Sequence, residues 1–325
     1  MTHSIEVDRL TKRYGSFVAL DHVSFRYEGP RAIGYLGPNG AGKTTTLKLL
    51  TRLIHPTDGR ALIDGIDLAD NPRAALAQVG SVVETPAPYA TFTVRDTLEI
   101  AGEFRGLSRE TIRDRIDYFD RVLELPKRTW KMGALSKGLR QRVVLTGALL
   151  SDPPVILLDE PTSGLDPAER VRVRNLLLEL KRDHLILVSS HLLGEVTETC
   201  DEVIFLNHGK ILQQGPVRAI QDGSSRRRLE VSFLEPVAPA RVEGLGAPVV
   251  AVEAVSDRCY RLTYEGGEEA RATLLDRLRE FGRVTDFSPL GSPLEEAYLK
   301  LMGEESAATA AAPNSNPSTR IIGAA

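Results

Sequence analysis

The sequence predicts an α/β fold built on a parallel sheet, followed by a small α+β domain, and three observations carry that prediction. A short apolar strand, Ala32-Ile-Gly-Tyr-Leu36, runs into Gly37-Pro-Asn-Gly-Ala-Gly-Lys-Thr-Thr45 and on into a helix-like stretch ending at Leu50. A second apolar run, Val155-Ile-Leu-Leu158, ends in Asp159-Glu160-Pro161. Apolar runs of this kind are buried on both faces, as parallel strands are. Beyond about residue 229, strands and an amphipathic helix begin afresh after a polar linker.

Taken in chain order, residues 4–35 alternate short apolar strands with turns (Ile5–Leu10, Ala19–Phe25, Ala32-Ile33). The loop that follows fits G-x-x-x-x-G-K-[ST], and its strand-loop-helix setting is the one a phosphate-binding loop requires. Gly37, Gly40 and Gly42 let the backbone of Gly37, Pro38, Asn39, Gly40, Ala41 and Gly42 turn its N–H groups inward as an anion nest, and the helix N-terminus adds its dipole. Lys43 is placed to reach the β- and γ-phosphates of a nucleotide, and Thr44, followed by Thr45, to offer a hydroxyl to Mg²⁺. From about 92 to 150 the apolar period becomes helical, with Val94, Leu98 and Ala101, then Ile112, Ile116, Phe119 and Leu123, on core-facing stripes. The carboxylates after Leu158 emerge at the carboxyl end of a parallel strand, where open α/β sheets bind ligands. There Asp159 is a metal ligand and Glu160 a general base for an attacking water. Leu185–Val188 and Val203–Leu206 complete the parallel core, and Asn207-His-Gly-Lys210 turns into a last hairpin strand.

Leu135-Ser-Lys-Gly-Leu-Arg-Gln-Arg142 stands before the acidic strand, Ser163-Gly-Leu-Asp166 after it, and Ser189-Ser190-His191 closes the next strand. With the phosphate loop, acidic strand, signature, D-loop and switch histidine in this order, residues 1 to about 220 resemble the ATP-binding subunit of a bacterial ABC transporter. The resemblance implies a P-loop ATPase domain over 1–222, with an antiparallel β-subdomain and a helical subdomain. It implies ATP and Mg²⁺ as cofactors, a partner ATPase subunit (a homodimer), and a separate polytopic membrane permease. It also implies a peripheral position on the cytoplasmic face of the cell membrane. Tyr14 matches the aromatic that stacks on adenine, and His191 the residue that senses the γ-phosphate and joins Glu160 in catalysis. Ser136 and Gly138 match the signature groups that meet the nucleotide of the partner subunit, and Asp166 the D-loop aspartate at the dimer interface.

Two motifs depart from the family pattern. Lys137 and Leu139 replace residues of the usual Leu-Ser-Gly-Gly-Gln, although Ser-Lys-Gly looks like many bacterial exporter ATPases. The Q-loop glutamine is replaced by Glu84 in Val82-Val83-Glu84-Thr85-Pro86, a harder oxygen donor expected to ligate Mg²⁺. A glutamate there resembles the branch of exporters conferring lantibiotic immunity and bacitracin resistance, which points to export of a peptide or antibiotic. The alternatives are a non-transport ABC ATPase of repair or translation type, and an importer. No second phosphate loop, heptad arm or Cys/His cluster supports the first of these, and the C-terminal pattern favours export over import.

Composition sets the remaining bounds. The chain has 325 residues and a formal net charge of −3, so no nucleic-acid partner is expected. Cys200 and Cys259 lie in no metal-like spacing and are expected as buried thiols. No signal-peptide core is present, and no apolar run approaches the roughly 18–20 residues that cross a bilayer. A linker over 221–228 leads to a second domain at 229–302, with strands Leu229–Phe233, Val249–Val252 and Cys259–Tyr264 and a helix over Glu268–Phe281. The order strand, helix, two strands, helix, strand suggests a ferredoxin-like unit, closed by a helix over 292–301. The stretch 303–325, rich in Ala, Ser, Asn and Pro, is expected to be a disordered tail.

Overall fold

A computed structural model describes residues 3–84, 88–223 and 226–291, with positions 294, 295, 297, 298 and 301. The expected tail at 303–325, Thr85-Pro86-Ala87 of the loop after Glu84, and parts of the linker and of the closing helix lie outside the described residues. The chain divides into two compact units, Met1–Ile220 and Gln221–Ala325.

In the first unit, β1 (Ser4–Tyr14) and β2 (Phe17–Glu28) form an antiparallel hairpin whose closing pair is Tyr14 and Phe17. The six-residue strand β3 (Arg31–Leu36) leads through the glycine-rich loop into α1 (Lys43–Leu50). The stretch from 51 to 82, which periodicity leaves unread, holds β4 (Asp58–Ile63), β5 (Ile66–Asp67), α2 (Pro72–Ala77) and β6 (Val79–Val82). These strands are short and β4 opens on Asp58-Gly59-Arg60, so only pairing reveals them: β4 docks on β1, giving an antiparallel sheet of order β2-β1-β4-β5.

Three helices with strong caps follow. Thr93 and Asp96 make a reciprocal capping box at the start of α3 (Val94–Phe104), and Ser108 caps α4 (Arg109–Leu123). Ser136 caps α5 (Lys137–Leu149) by accepting from the Leu139 N–H at 3.2 Å. The expected stripes are buried except at Ala101, which is half-buried: Val94, Leu98, Ile112 and Ile116 pack with Met132, Leu135, Val143 and Leu150 in the core of this helical layer.

The larger sheet adds β7 (Val155–Asp159), β8 (Leu185–Ser190), β9 (Glu202–Asn207) and β10 (Lys210–Pro216) in the order β10-β9-β3-β8-β7-β6, parallel except for β10. Every residue of β7 and β8 is buried, as two-faced cover by helices demands. The covering helices include α1, α6 (Pro167–Leu180) and α7 (Leu193–Thr199). One core joins both sheets through Val7, Leu20, Tyr35, Leu47, Leu157 and Ile204. The helix α8 (Val217–Gly223) then runs to the boundary between the units.

The second unit runs β11 (Arg226–Phe233), α9 (Pro239–Glu243), β12 (Val249–Ala254), β13 (Cys259–Glu265), α10 (Glu268–Arg279) and β14 (Val284–Pro289). Its strands form an antiparallel sheet of order β12-β13-β11-β14. Tyr260, Leu262 and Tyr264 alternate inward along β13 and meet Leu229, Val231, Leu274 and Leu278. Both cysteines are free thiols; Cys200 is buried as expected, but Cys259, at the start of β13, is only half-buried. Its neighbour Tyr260 takes the inward position, and the period of two leaves Cys259 on the other face.

Candidate active site

The loop between β3 and α1 owes its shape to glycines that nothing larger can replace. A side chain at Gly37 would place Cβ 2.2 Å from the Leu206 carbonyl oxygen. Gly42 has φ near 110° and would meet the Ala19 carbonyl at 2.8 Å, so it permits both the left-handed turn and the close approach of β2. Lys43 folds back over this loop, its Nζ donating to the Gly37 carbonyl at 2.7 Å and the Pro38 carbonyl at 3.1 Å. It is only 6% exposed, and burial lowers its pKa, an effect opposed by the nearby charges of Glu160 and Asp159.

The carboxylates arrive from β7. Asp159 ends the strand, and Glu160 follows with φ near 47°, a left-handed conformation that is costly for a residue with a side chain. That turn sends the Glu160 carboxylate to two side chains at once. Its Oε1 lies 3.7 Å from Lys43 Nζ, and its Oε2 is hydrogen-bonded to His191 Nδ1. Ser189, completely buried on β8, donates from Oγ to Asp159 Oδ1 at 2.6 Å and accepts the Glu160 N–H at 2.9 Å.

Lys43, Glu160 and His191 border an open cleft of about 500 Å³, a size that suits a small ligand, with Asp159 and Ser189 behind them. Asn39, Gly40, Thr44 and Thr45 line one wall, and Tyr14, Phe17 and Ala19 the other. Tyr14 is 50% exposed and Phe17 61%, so both rings present open faces beside the cleft. Lys12 Nζ lies 4.9 Å from the Tyr14 ring centre, a cation–π contact.

Glu84 is placed differently from its expected role. Its main-chain N–H, not its carboxylate, faces Asp159, at 3.4 Å from Oδ2. The carboxylate is ion-paired to Lys48, one turn along α1 from Thr44. The cause is again a left-handed residue, φ near 62° at Glu84, which turns the side chain away from the strand end.

Ser136, Gly138 and Asp166 do not line this cleft. Ser136 and Gly138 sit at the N-terminus of α5, and Asp166 caps α6 by accepting from Glu169 N–H at 2.9 Å. The two helix starts are locked together. A side chain at Gly138 would come within 3.2 Å of the Glu169 side chain, and Gly164 lies under the Lys137 ammonium. Behind them Arg142 binds Glu169 through two hydrogen bonds, the Nε–Oε2 one at 2.6 Å, and donates to the carbonyls of Leu123 and Glu124 at 3.0 and 2.6 Å. Phe17, Lys48, Ser189, Arg142 and Glu169 are the site residues that sequence reasoning passes over. For Phe17 a signal existed, since it closes the hairpin opposite Tyr14.

The chain is similar to known proteins. The family described as ABC transporter matches residues 20–163. The bacitracin transport ATP-binding protein of Bacillus licheniformis is 37% identical over 219 residues, covering 66% of this chain and 71% of the relative. A Nod factor export ATP-binding protein of Burkholderia lata is 35% identical over 221 residues, covering 66% and 72%. An uncharacterised ABC transporter ATP-binding protein of Bacillus subtilis is 30% identical over 299 residues, covering 92% of this chain and 99% of its own length. Among solved structures, an ATP-binding subunit of an ABC transporter superposes with a TM-score of 0.63 at 31% identity, over 67% of this chain and 92% of the other. A dimeric cassette holding ADP and Pi after hydrolysis gives 0.60 at 26% identity, over 66% and 99%.

Proposed function

The chain belongs to the ATP-binding subunits of ABC transporters, an ATPase family, and from that premise we propose that two copies close around two ATP molecules to power export through a separate membrane subunit. The single observation that carries the hydrolytic part is the placement of Glu160: a strained strand-end residue whose carboxylate is shared between Lys43 and His191 at the mouth of a phosphate loop.

Each residue then has a chemical task. The N–H groups of Gly37 and of residues 39–42, with Lys43, hold the phosphates, and the exposed faces of Tyr14 and Phe17 take the base by stacking. Lys43 and His191 are donors that an incoming γ-phosphate competes for, and as they turn to it the Glu160 carboxylate is released to accept a proton from water. The Thr44 hydroxyl and the Asp159 carboxylate are hard oxygen donors, a set that fits Mg²⁺ completed by water and nucleotide oxygens. Bound there, Mg²⁺ supplies charge neutralisation between the phosphates. Ser136, Gly138 and Asp166 lie at two adjoining helix starts, which suits them to meet the nucleotide of the second copy in an isologous dimer.

The domain division follows the same reading, with residues 1–222 as the ATPase and 229–302 as an accessory α+β domain. Among the described residues no helix is long and apolar enough to cross a membrane; the family membership is what supports a subunit that docks on a permease at the cytoplasmic face. The names of the bacitracin and Nod factor relatives support export, and with Glu84 they favour a peptide antibiotic or similar amphiphile as cargo. Glu160→Gln is expected to keep ATP binding but stall hydrolysis, trapping a dimer on size exclusion in saturating Mg-ATP. Monomeric elution of that variant refutes the closure scheme. Purification from native membranes, with mass spectrometry of what co-elutes, tests the transporter assignment. A polytopic membrane protein at near-equal amount is expected.

A further inference from the structure

We propose that Ser189 is a positioning residue for ATP hydrolysis, whose hydroxyl sets the direction of the Asp159 carboxylate and restrains the turn that aims Glu160. The inference rests on the Mg-ATP reading above. β7 and β8 are parallel neighbours, and their register sets Ser189 opposite Asp159. A serine hydroxyl has one proton to give and lone pairs to accept with. Here the proton goes to Asp159 Oδ1 at 2.6 Å, and a lone pair takes the Glu160 N–H at 2.9 Å. One buried side chain thus bonds two consecutive acidic residues of the site. Among the described residues it is the one side chain hydrogen-bonded to Asp159.

The consequence is asymmetric. With Oδ1 occupied by Ser189, Oδ2 is the oxygen left for a cation, and it already lies 3.4 Å from the Glu84 N–H. Removing the hydroxyl leaves Oδ1 buried without a partner, so the carboxylate turns to find one and its metal-facing direction is lost. The Glu160 N–H keeps a longer bond to the Ser189 carbonyl at 3.2 Å, so the turn survives with less restraint. The phosphate grip consists of the loop backbone and Lys43, whose Nζ donates to the Gly37 and Pro38 carbonyls and not to Ser189, so it is expected to survive the change. Ser189 therefore governs how much Mg²⁺ adds to nucleotide binding, and the rate of the chemical step.

The test is Ser189→Ala, with equilibrium binding of a non-hydrolysable ATP analogue measured in Mg²⁺ and in EDTA, alongside ATPase kinetics. Expected are an EDTA affinity within about twofold of wild type, a Mg²⁺ enhancement reduced about fivefold or more, and kcat lower by about ten- to hundredfold. Ser189→Thr, which keeps the hydroxyl, is expected to restore the Mg²⁺ enhancement. Should the alanine variant not fold, Ser189→Cys, a near-isostere with a weak donor, takes its place with an intermediate enhancement. An unchanged Mg²⁺ enhancement overturns the proposal, and so does an equal loss of affinity in Mg²⁺ and EDTA, which marks a merely structural role. A wild-type protein that hydrolyses no Mg-ATP strikes the underlying reading instead, and the proposal falls with it.

Discussion

Replacing Arg142 by methionine tests the ion pair that ties α5 to α6 in the first unit. Arg142 and Glu169 are both buried, so the pair is shielded from solvent on α5 and α6. Breaking a buried pair from one side costs about 3–5 kcal/mol, because the remaining charge stays buried with a weaker partner, here the Arg172 guanidinium 4.0 Å from Glu169 Oε1. Arg142 also satisfies the Leu123 and Glu124 carbonyls at the C-terminal end of α4, each worth about 1 kcal/mol as a net hydrogen bond. Water reaches the α4 end once the side chain shortens, so these costs overlap and the expected total stays near 3–5 kcal/mol. For a unit of this size that is a fall in Tm of roughly 6–20 °C. The double variant Arg142→Met/Glu169→Leu removes both charges and is expected to recover all but about 1–2 kcal/mol, the net value of the two hydrogen bonds lost to the carbonyls. Trp130 is the only tryptophan and lies in the first unit, so its fluorescence in urea follows that unit even if the second unfolds separately. A loss below about 1 kcal/mol for Arg142→Met, or a double variant as unstable as the sum of the singles, refutes the reasoning.

Further outcomes follow from the site. Tyr14→Ala is expected to weaken binding of a fluorescent ATP analogue by the value of one stacked base, about 1–3 kcal/mol, with a smaller loss for Phe17→Ala; unaltered affinity in both removes the aromatic wall from the base subsite. Glu84→Gln is expected to leave ATP affinity nearly intact and change turnover or coupling, and Lys48→Met to do the same by freeing the Glu84 carboxylate. The pair is partly exposed, so stability should move by less than about 1 kcal/mol; wild-type ATPase and transport in both variants would make it a bystander. Burial first, then Asp201, pushes the Cys200 thiol up to about 12, so it stays protonated and unreactive at pH 8. Native protein should therefore be alkylated by iodoacetamide at Cys259 alone, and denatured protein at both; two labels on the native chain contradict the burial of Cys200.

Much of the catalytic unit is legible in the sequence because its signals are local. Gly37–Thr45 needs only glycines at backbone positions that exclude a Cβ, with a lysine and a threonine at the start of a helix. Val155–Leu158 and Leu185–Val188 announce themselves as apolar runs, and the stripes through Val94, Leu98, Ile112 and Ile116 as helical period. What stays hidden depends on pairing across the fold. β4 and β6 are short strands whose membership comes from their neighbours, β1 and β7. Ser189 touches Asp159 only because β7 and β8 are adjacent and parallel in that register. Arg142 finds Glu169 only because α5 and α6 start side by side. The turn at Glu84 decides the remaining case: the sequence offers a carboxylate beside the metal position, and a left-handed φ hands it to Lys48 instead. The sequence by itself thus determined the phosphate loop, the acidic strand end and the order of motifs, since backbone conformation and periodicity are set within a few residues. The tertiary structure alone decided which side chains hold those motifs in place, because hydrogen bonds and ion pairs between distant segments exist only once sheet order and register are chosen.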